Sequence, residues 1–232
     1  MDNKQKILAH IKANVPLLII GSSGWGKSSI VYEVAQELNL PIVTANANSW
    51  MAEDFGGLVR PINGEYYDYL PPKWVIDNRD KEFILFIDEI NQANVSVLHA
   101  LYRIVLDREV AGIKLNMKII AAGNNNSENP YLTELPEPLL KRFSVYQWEN
   151  NITEACRYLN KKYNTNLESI YTNPRQTEMA LKMVQVKDYA AVSSLGGEQL
   201  LKFLKKQKKS NGEKLVQNLE INEAKLRNGV LL

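Results

Sequence analysis

A chain of 232 residues, 45% hydrophobic and 23% charged, has room for one large α/β domain or for a core domain with a smaller attachment. A single cysteine, Cys156, excludes an intramolecular disulfide and fits a reducing compartment, and the two histidines, His10 and His99, offer no metal-ligand spacing. No apolar run has the length of a membrane span and Met1–Lys4 lacks a signal-peptide core, so a cytoplasmic protein with no membrane partner is expected.

The first predicted element is a short amphipathic helix over Lys4–Ala13, with Ile7, Leu8 and Ile11 on one face. Val15–Ile20 reads as a buried strand. Gly21-Ser22-Ser23-Gly24-Trp25-Gly26-Lys27-Ser28 follows and fits the phosphate-loop pattern G-x-x-x-x-G-K-[ST] in full, ahead of a helix from Ser28 to Leu38 that takes in Ser29. Strand, glycine-rich loop and helix are the context this motif requires. Glycines let the backbone close around anionic oxygens, with successive N–H groups and the helix N-terminus turned toward phosphate. Lys27 adds a mobile positive charge, and the Ser28 hydroxyl can ligate Mg²⁺. A chance match is expected in roughly one chain in a hundred of this length. The motif therefore points to a bound nucleoside triphosphate.

Leu40–Ala45 is the second predicted strand. The irregular stretch from Asn46 to Pro72 contains Asn63-Gly64 between two β-prone segments, a two-residue hairpin signal, with Pro61 confining its strand to an edge. A brief helix is expected over Lys73–Asn78. The third strand, Phe83–Ile87, is wholly apolar and ends in Asp88-Glu89. Carboxylates there are tolerated because they emerge at the carboxyl edge of the sheet, where open α/β sheets bind ligands. Asp88 is placed to hold Mg²⁺ and Glu89 to orient and deprotonate a water. A helix over Val95–Asp107, a small hairpin around Gly112, a fourth strand over Met117–Ala122, a short helix near Leu139 and a fifth strand over Ser144–Trp148 complete an alternating pattern. That pattern predicts a parallel sheet with helices on both faces.

Beyond residue 150 the strand pattern stops. Helices are expected at about Thr153–Tyr163, Gln176–Val184, Gly197–Lys208 and Glu213–Lys225. The charge changes sign at the same place, from 14 Lys+Arg against 18 Asp+Glu in residues 1–150 to 14 against 8 in residues 151–232. Much of the excess is Lys202, Lys205, Lys206, Lys208 and Lys209, which fit a solvated helix face or a patch that meets an acidic partner. A nucleotide-binding α/β core over 1–150 and an all-helical domain over 151–232 are the expected organisation.

In order, Gly21–Ser28, Phe86-Ile87-Asp88-Glu89-Ile90-Asn91, Ala121-Ala122-Gly123-Asn124, Leu135–Phe143 and Asn173-Pro174-Arg175 resemble the AAA+ ATPases. Within them, Asp-Glu-Ile-Asn and the Leu-Pro-Glu…Arg-Phe segment are most similar to the MoxR and dynein-related branch. The resemblance runs from about residue 5 to residue 185. It implies a phosphate-loop core with a five-stranded parallel sheet and a small helical lid, Mg²⁺-dependent ATP hydrolysis and assembly into a ring, most often a hexamer. By resemblance, Asn124, with its neighbours Asn125 and Asn126 as the alternatives, helps position the hydrolytic water, Arg142 acts on ATP held by the neighbouring subunit, and Arg175 reaches the γ-phosphate from the lid. Asn46 would hold Glu89 away from water. The hairpin falls where this branch carries an insertion, so Tyr66, Tyr67 and Tyr69 either grip a client or pack on the core. Trp25 departs from the small side chains usual in the loop. The implied partner is a protein client, for MoxR-type chaperones often one with a von Willebrand factor A domain. A nucleic-acid motor or loader subunit is the alternative, which the acidic core disfavours.

Overall fold

The computed structural model describes residues 2–125, 134–170 and 172–186, together with 192, 195, 200, 202 and 203. They divide into two compact units: residues up to Ser23 with Lys27–Asn150, and Gly24–Gly26 with the described residues from Asn151 onward.

The first unit is built on five parallel strands: β1 (Leu17–Ile20), β2 (Ile42–Asn46), β5 (Glu82–Asp88), β8 (Asn116–Gly123) and β9 (Ser144–Gln147), in the order β2-β5-β8-β1-β9. Side chains along a strand point alternately to its two faces, and the core divides accordingly. Leu18, Phe83, Leu85, Ile87, Met117, Ile119 and Ala121 form one face. On it lie α3 (Ala52–Gly56), α4 (Lys73–Asn78) and α5 (Val95–Asp107), the last through Val97, Leu98, Leu101, Ile104 and Val105. Leu17, Ile19, Ile84, Phe86, Ile120 and Ala122 form the other, against Ile7 and Ile11 of α1 (Asn3–Ala13) and Val31, Val34 and Ala35 of α2 (Lys27–Glu37). Covered on both faces, these strands are continuous apolar runs rather than alternating ones. Each large aliphatic or aromatic side chain so buried contributes about 1.5–3 kcal/mol.

Two small ribbons stand outside the sheet. The antiparallel pair β3 (Leu58–Ile62) and β4 (Tyr66–Leu70) is the hairpin the Asn-Gly signal predicts, with Pro61 opposite Tyr67. Its loop is one residue longer than expected. Asn63 and Gly64 (φ 51° and 76°) make the turn that the Glu65 N–H closes onto Ile62 O, yet the ladder resumes only at Ile62↔Tyr66. The second ribbon is β6 (Glu109–Val110) with β7 (Ile113–Lys114). The stretch read as irregular also contains α3, whose Phe55 is fully buried and stacks near Trp50, with ring centroids 4.9 Å apart.

In the second unit, α7 (Ile152–Tyr163) and α8 (Pro174–Gln185) follow α6 (Glu137–Leu140) of the first unit in chain order. Asn151 and Asn173 cap α7 and α8 through their side-chain carbonyls, and Pro174 opens α8 where a missing N–H costs nothing. Cys156, Leu159, Leu167, Ala180, Leu181, Val192 and Leu200 form its apolar cluster. Burial raises the Cys156 thiol pKa, in keeping with an apolar role. Leu200, Lys202 and Phe203 are helical. The remainder of the expected helix over 197–208, and the one over 213–225, lie outside the described residues. Among the described residues no helix is long and apolar enough to cross a membrane.

Candidate active site

Because all five strands run the same way, their carboxyl ends share one edge. The register aligns Ile20 with Gly123 and with Gln147, and Asn46 with Asp88. The phosphate loop therefore leaves β1 beside the segment that leaves β8, with Gly21 N–H bonded to Gly123 O. Gly21 is required by a close approach: a Cβ there would lie 2.5 Å from Trp148 Cβ. Gly24 and Gly26 have φ of 78° and 85°, a backbone region that side chains rarely occupy.

Lys27 is 7% exposed. Its ammonium donates to Gly21 O (2.7 Å), Ser22 O (2.8 Å) and Asn124 Oδ1 (3.1 Å), so three donors converge on the loop and on the end of β8. Ser28 Oγ donates to Asp88 Oδ2 at 2.7 Å, joining the first turn of α2 to the end of β5. Two oxygen ligands suited to a hard divalent cation are thus already adjacent. Ser22 Oγ accepts from Asn150 Nδ2 at 3.3 Å; Ser23 and Ser29 are exposed and Trp25 is half-buried.

At Glu89 the chain turns sharply. The residue lies in the left-handed region (φ 56°, ψ 37°), its N–H is held by Asp88 Oδ1 (3.0 Å), and the 3-10 turn Ile90–Gln92 follows. Asp88 and Glu89 are both half-buried, and among the described residues the Glu89 carboxylate has no hydrogen bond or ion pair. Left-handed backbone in a non-glycine residue is costly and tends to persist at functional sites. Asn46 does not engage Glu89 here: its Oδ1 accepts from Asn48 N at 3.1 Å, capping its own turn.

The structure thus brings together Lys27, Ser28, Asp88, Glu89 and Asn124. Arg142 stands apart from them, its Nη1 donating to Pro138 O (3.0 Å) and its guanidinium lying over the Tyr102 ring (4.8 Å). In the second unit, Arg175 is exposed and its N–H bonds to Gly24 O at 3.2 Å. Asn125 is half-buried, and Asn126 lies outside the described residues. The sequence pattern gives Asn91 no role beyond closing the Asp-Glu-Ile-Asn stretch, yet it is buried and hydrogen-bonded to Asn124.

A parallel sheet of this order, ending in a lysine-bearing glycine loop and an acid pair, defines a phosphate-loop nucleotide-binding protein. The model of the ATPase family associated with various cellular activities (AAA) matches residues 17–149, and the chain belongs to that family. It binds ATP and is an ATP hydrolase. Solved structures share the fold. A RuvB point mutant from Thermotoga maritima aligns with a TM-score of 0.58 at 16% identity, over 88% of this chain and 68% of its own. The Thermotoga maritima RuvB Holliday junction branch migration motor aligns at 0.56 and 18%, over 87% and 67%. NtrX from Brucella abortus, in complex with ATP, aligns at 0.52 and 16%, over 80% and 49%.

Proposed function

We propose that this ATPase is Mg²⁺-dependent, works as a hexameric ring of the MoxR type, and uses ATP turnover to remodel a protein partner, for which a von Willebrand factor A domain protein is the first candidate. Lys27 and the backbone N–H groups of the loop bind the phosphates. Ser28 and Asp88 hold Mg²⁺, which supplies charge neutralisation on the phosphate oxygens. Glu89 takes a proton from the attacking water, Asn124 orients it, and Arg142 from the adjacent subunit stabilises transition-state charge. Arg175 contributes a further positive charge from the C-terminal helical domain, which serves as the lid.

The observation that supports a protein client is the hairpin. Tyr66, Tyr67 and Tyr69 are 61%, 62% and 43% exposed, which leaves little of the core-packing alternative. Leu58, Val59 and Leu70 are exposed beside them, and Arg60 is outnumbered by Glu65 and Asp68. An apolar, slightly acidic ribbon suits a polypeptide and repels a phosphate backbone. A nucleic-acid motor is the competing reading, and RuvB, a branch migration motor, shares the fold.

ATPase assays with single-stranded DNA, duplex DNA and candidate proteins separate the two, together with pull-down by the Glu89→Gln variant loaded with ATP. Stimulation by a captured protein supports the proposal. Stimulation by DNA that is lost when Tyr66 and Tyr67 are replaced by Ala rejects it in favour of the motor.

A further inference from the structure

Asn91 is 2% exposed, in the 3-10 turn that follows the acid pair. Its carboxamide spans both backbone groups of Asn124: Nδ2 donates to Asn124 O (2.7 Å) and Oδ1 accepts from Asn124 N (3.1 Å). Asn124 needs such a partner because the ladder stops short of it. The β8 register ends at Ile20↔Gly123 on the β1 side and at Ile87↔Ala121 on the β5 side. A buried backbone N–H and C=O left unpaired there would be costly. A carboxamide presents a donor and an acceptor side by side in one planar, uncharged group, as a backbone N–H and C=O pair requires. Gly123 makes room for it, since a Cβ there would stand 3.1 Å from Asn91 Oδ1 and 2.9 Å from Ile20 Cδ1. The left-handed turn at Glu89 directs the chain so that Ile90 enters the core and Asn91 lies under Asn124.

We infer that Asn91 is a positioning residue for ATP hydrolysis: by holding the Asn124 backbone as a side-chain continuation of the sheet, it aims the Asn124 carboxamide at the Lys27 end of the site. The contact Lys27 Nζ to Asn124 Oδ1 (3.1 Å) is the geometry so maintained. The inference rests on the reading of Asn124 as a residue of the hydrolytic centre. A displacement of about 1 Å at such a centre can cost about 10²-fold in rate.

The test is a double-mutant cycle on the full chain, with kcat, KM, ATP affinity and melting temperature measured for Asn91→Ala, Asn91→Asp, Asn124→Ala and the Asn91→Ala/Asn124→Ala pair. Asn91→Asp keeps the shape and the acceptor but sets a carboxylate oxygen against Asn124 O, so it remains informative where Asn91→Ala folds poorly. The expected result is a fall in kcat of about 10- to 100-fold in each single variant with KM unchanged, and a double variant no slower than Asn124→Ala alone. A structural role would lower the melting temperature in either background without that non-additivity. Losses that multiply in the double variant, or a wild-type kcat in Asn91→Asp while Asn124→Ala is slow, overturn this inference alone. A wild-type kcat in Asn124→Ala overturns the reading of Asn124, and this inference with it.

Discussion

The carboxyl edge of the sheet and the β3–β4 hairpin belong to the same unit and treat polar and apolar groups in opposite ways. At the edge, side chains are withdrawn from water and hold one another: Lys27 has three oxygen acceptors, Ser28 has Asp88, and Asn124 is bound through both backbone groups and its side chain. In the hairpin, tyrosines stand in solvent, and the closest aromatic partner of Tyr67 is Tyr69, 5.9 Å away on the same face of its own strand. A change at Lys27, Ser28, Asp88 or Asn124 propagates because each of these is another's partner. A change in the hairpin removes only itself. One region keeps a geometry, and the other leaves its large side chains open to solvent.

The largest effect expected is at Lys27. Lys27→Ala removes the ammonium and leaves Gly21 O and Ser22 O without that donor, so equilibrium measurements should find nucleotide binding lost. Glu89→Gln, by contrast, should bind ATP normally and lose turnover by about 10²- to 10⁴-fold, as expected for removal of a general base. Near-normal phosphate release from Glu89→Gln would remove that carboxylate from the chemistry.

Arg142 tests whether the edge is complete within one chain. Its partners are Pro138 O and the Tyr102 ring, so a role in ATP hydrolysis requires a second subunit. Arg142→Ala should slow turnover by about 10³- to 10⁵-fold. Mixing it with Lys27→Ala should recover part of the activity, since some interfaces then pair a working loop with a working arginine. Turnover per subunit that is independent of concentration, with light scattering reporting monomer in ATP, is the outcome that rejects a shared site.

Gly21→Ala sharpens the contrast in stability. Its Cβ would press on Trp148 at 2.5 Å, and forcing an extra methyl group into a packed site costs about 1–3 kcal/mol, visible in a denaturant titration. The smallest effect belongs to the hairpin. Tyr66→Ala and Tyr67→Ala should each change stability by no more than about 0.5 kcal/mol, as exposed positions do, and leave basal ATPase intact. Stimulation by the client should disappear. A fall in melting temperature with ATPase declining in parallel would show that the two regions are coupled after all.

Much of this division was legible in the amino-acid sequence, for physical reasons that also mark its limits. Leu17–Ile20, Phe83–Ile87 and Met117–Ala122 read as buried parallel strands because a strand covered on both faces has no polar alternation to obscure it. The edge carboxylates followed, since an apolar run cannot hold them elsewhere. Helix α3 escaped notice because five residues are too few to show a helical period, and only the buried Phe55 marks it. The helical period starts α8 at Gln176, two residues late, because Asn173 serves both the Asn-Pro-Arg motif and the cap that opens the helix at Pro174. Asn91 shows the deeper limit. Its hydrogen bonds cross 33 residues of sequence, and nothing local to either asparagine announces that they meet. The tyrosines stood between two readings until their exposure was known, because alternation in an isolated ribbon does not say which face has cover.

The left-handed backbone at Glu89 sets folding and catalysis against each other at one residue. Glutamate holds that conformation at a cost of about 1–2 kcal/mol, whereas glycine or asparagine enters it readily. The residue proposed as the general base is therefore among the less comfortable choices for its own position, and the comfortable replacements carry no carboxylate to serve as that base. Directed evolution of this enzyme for heat resistance, if scored on folding alone, will drift toward discarding Glu89.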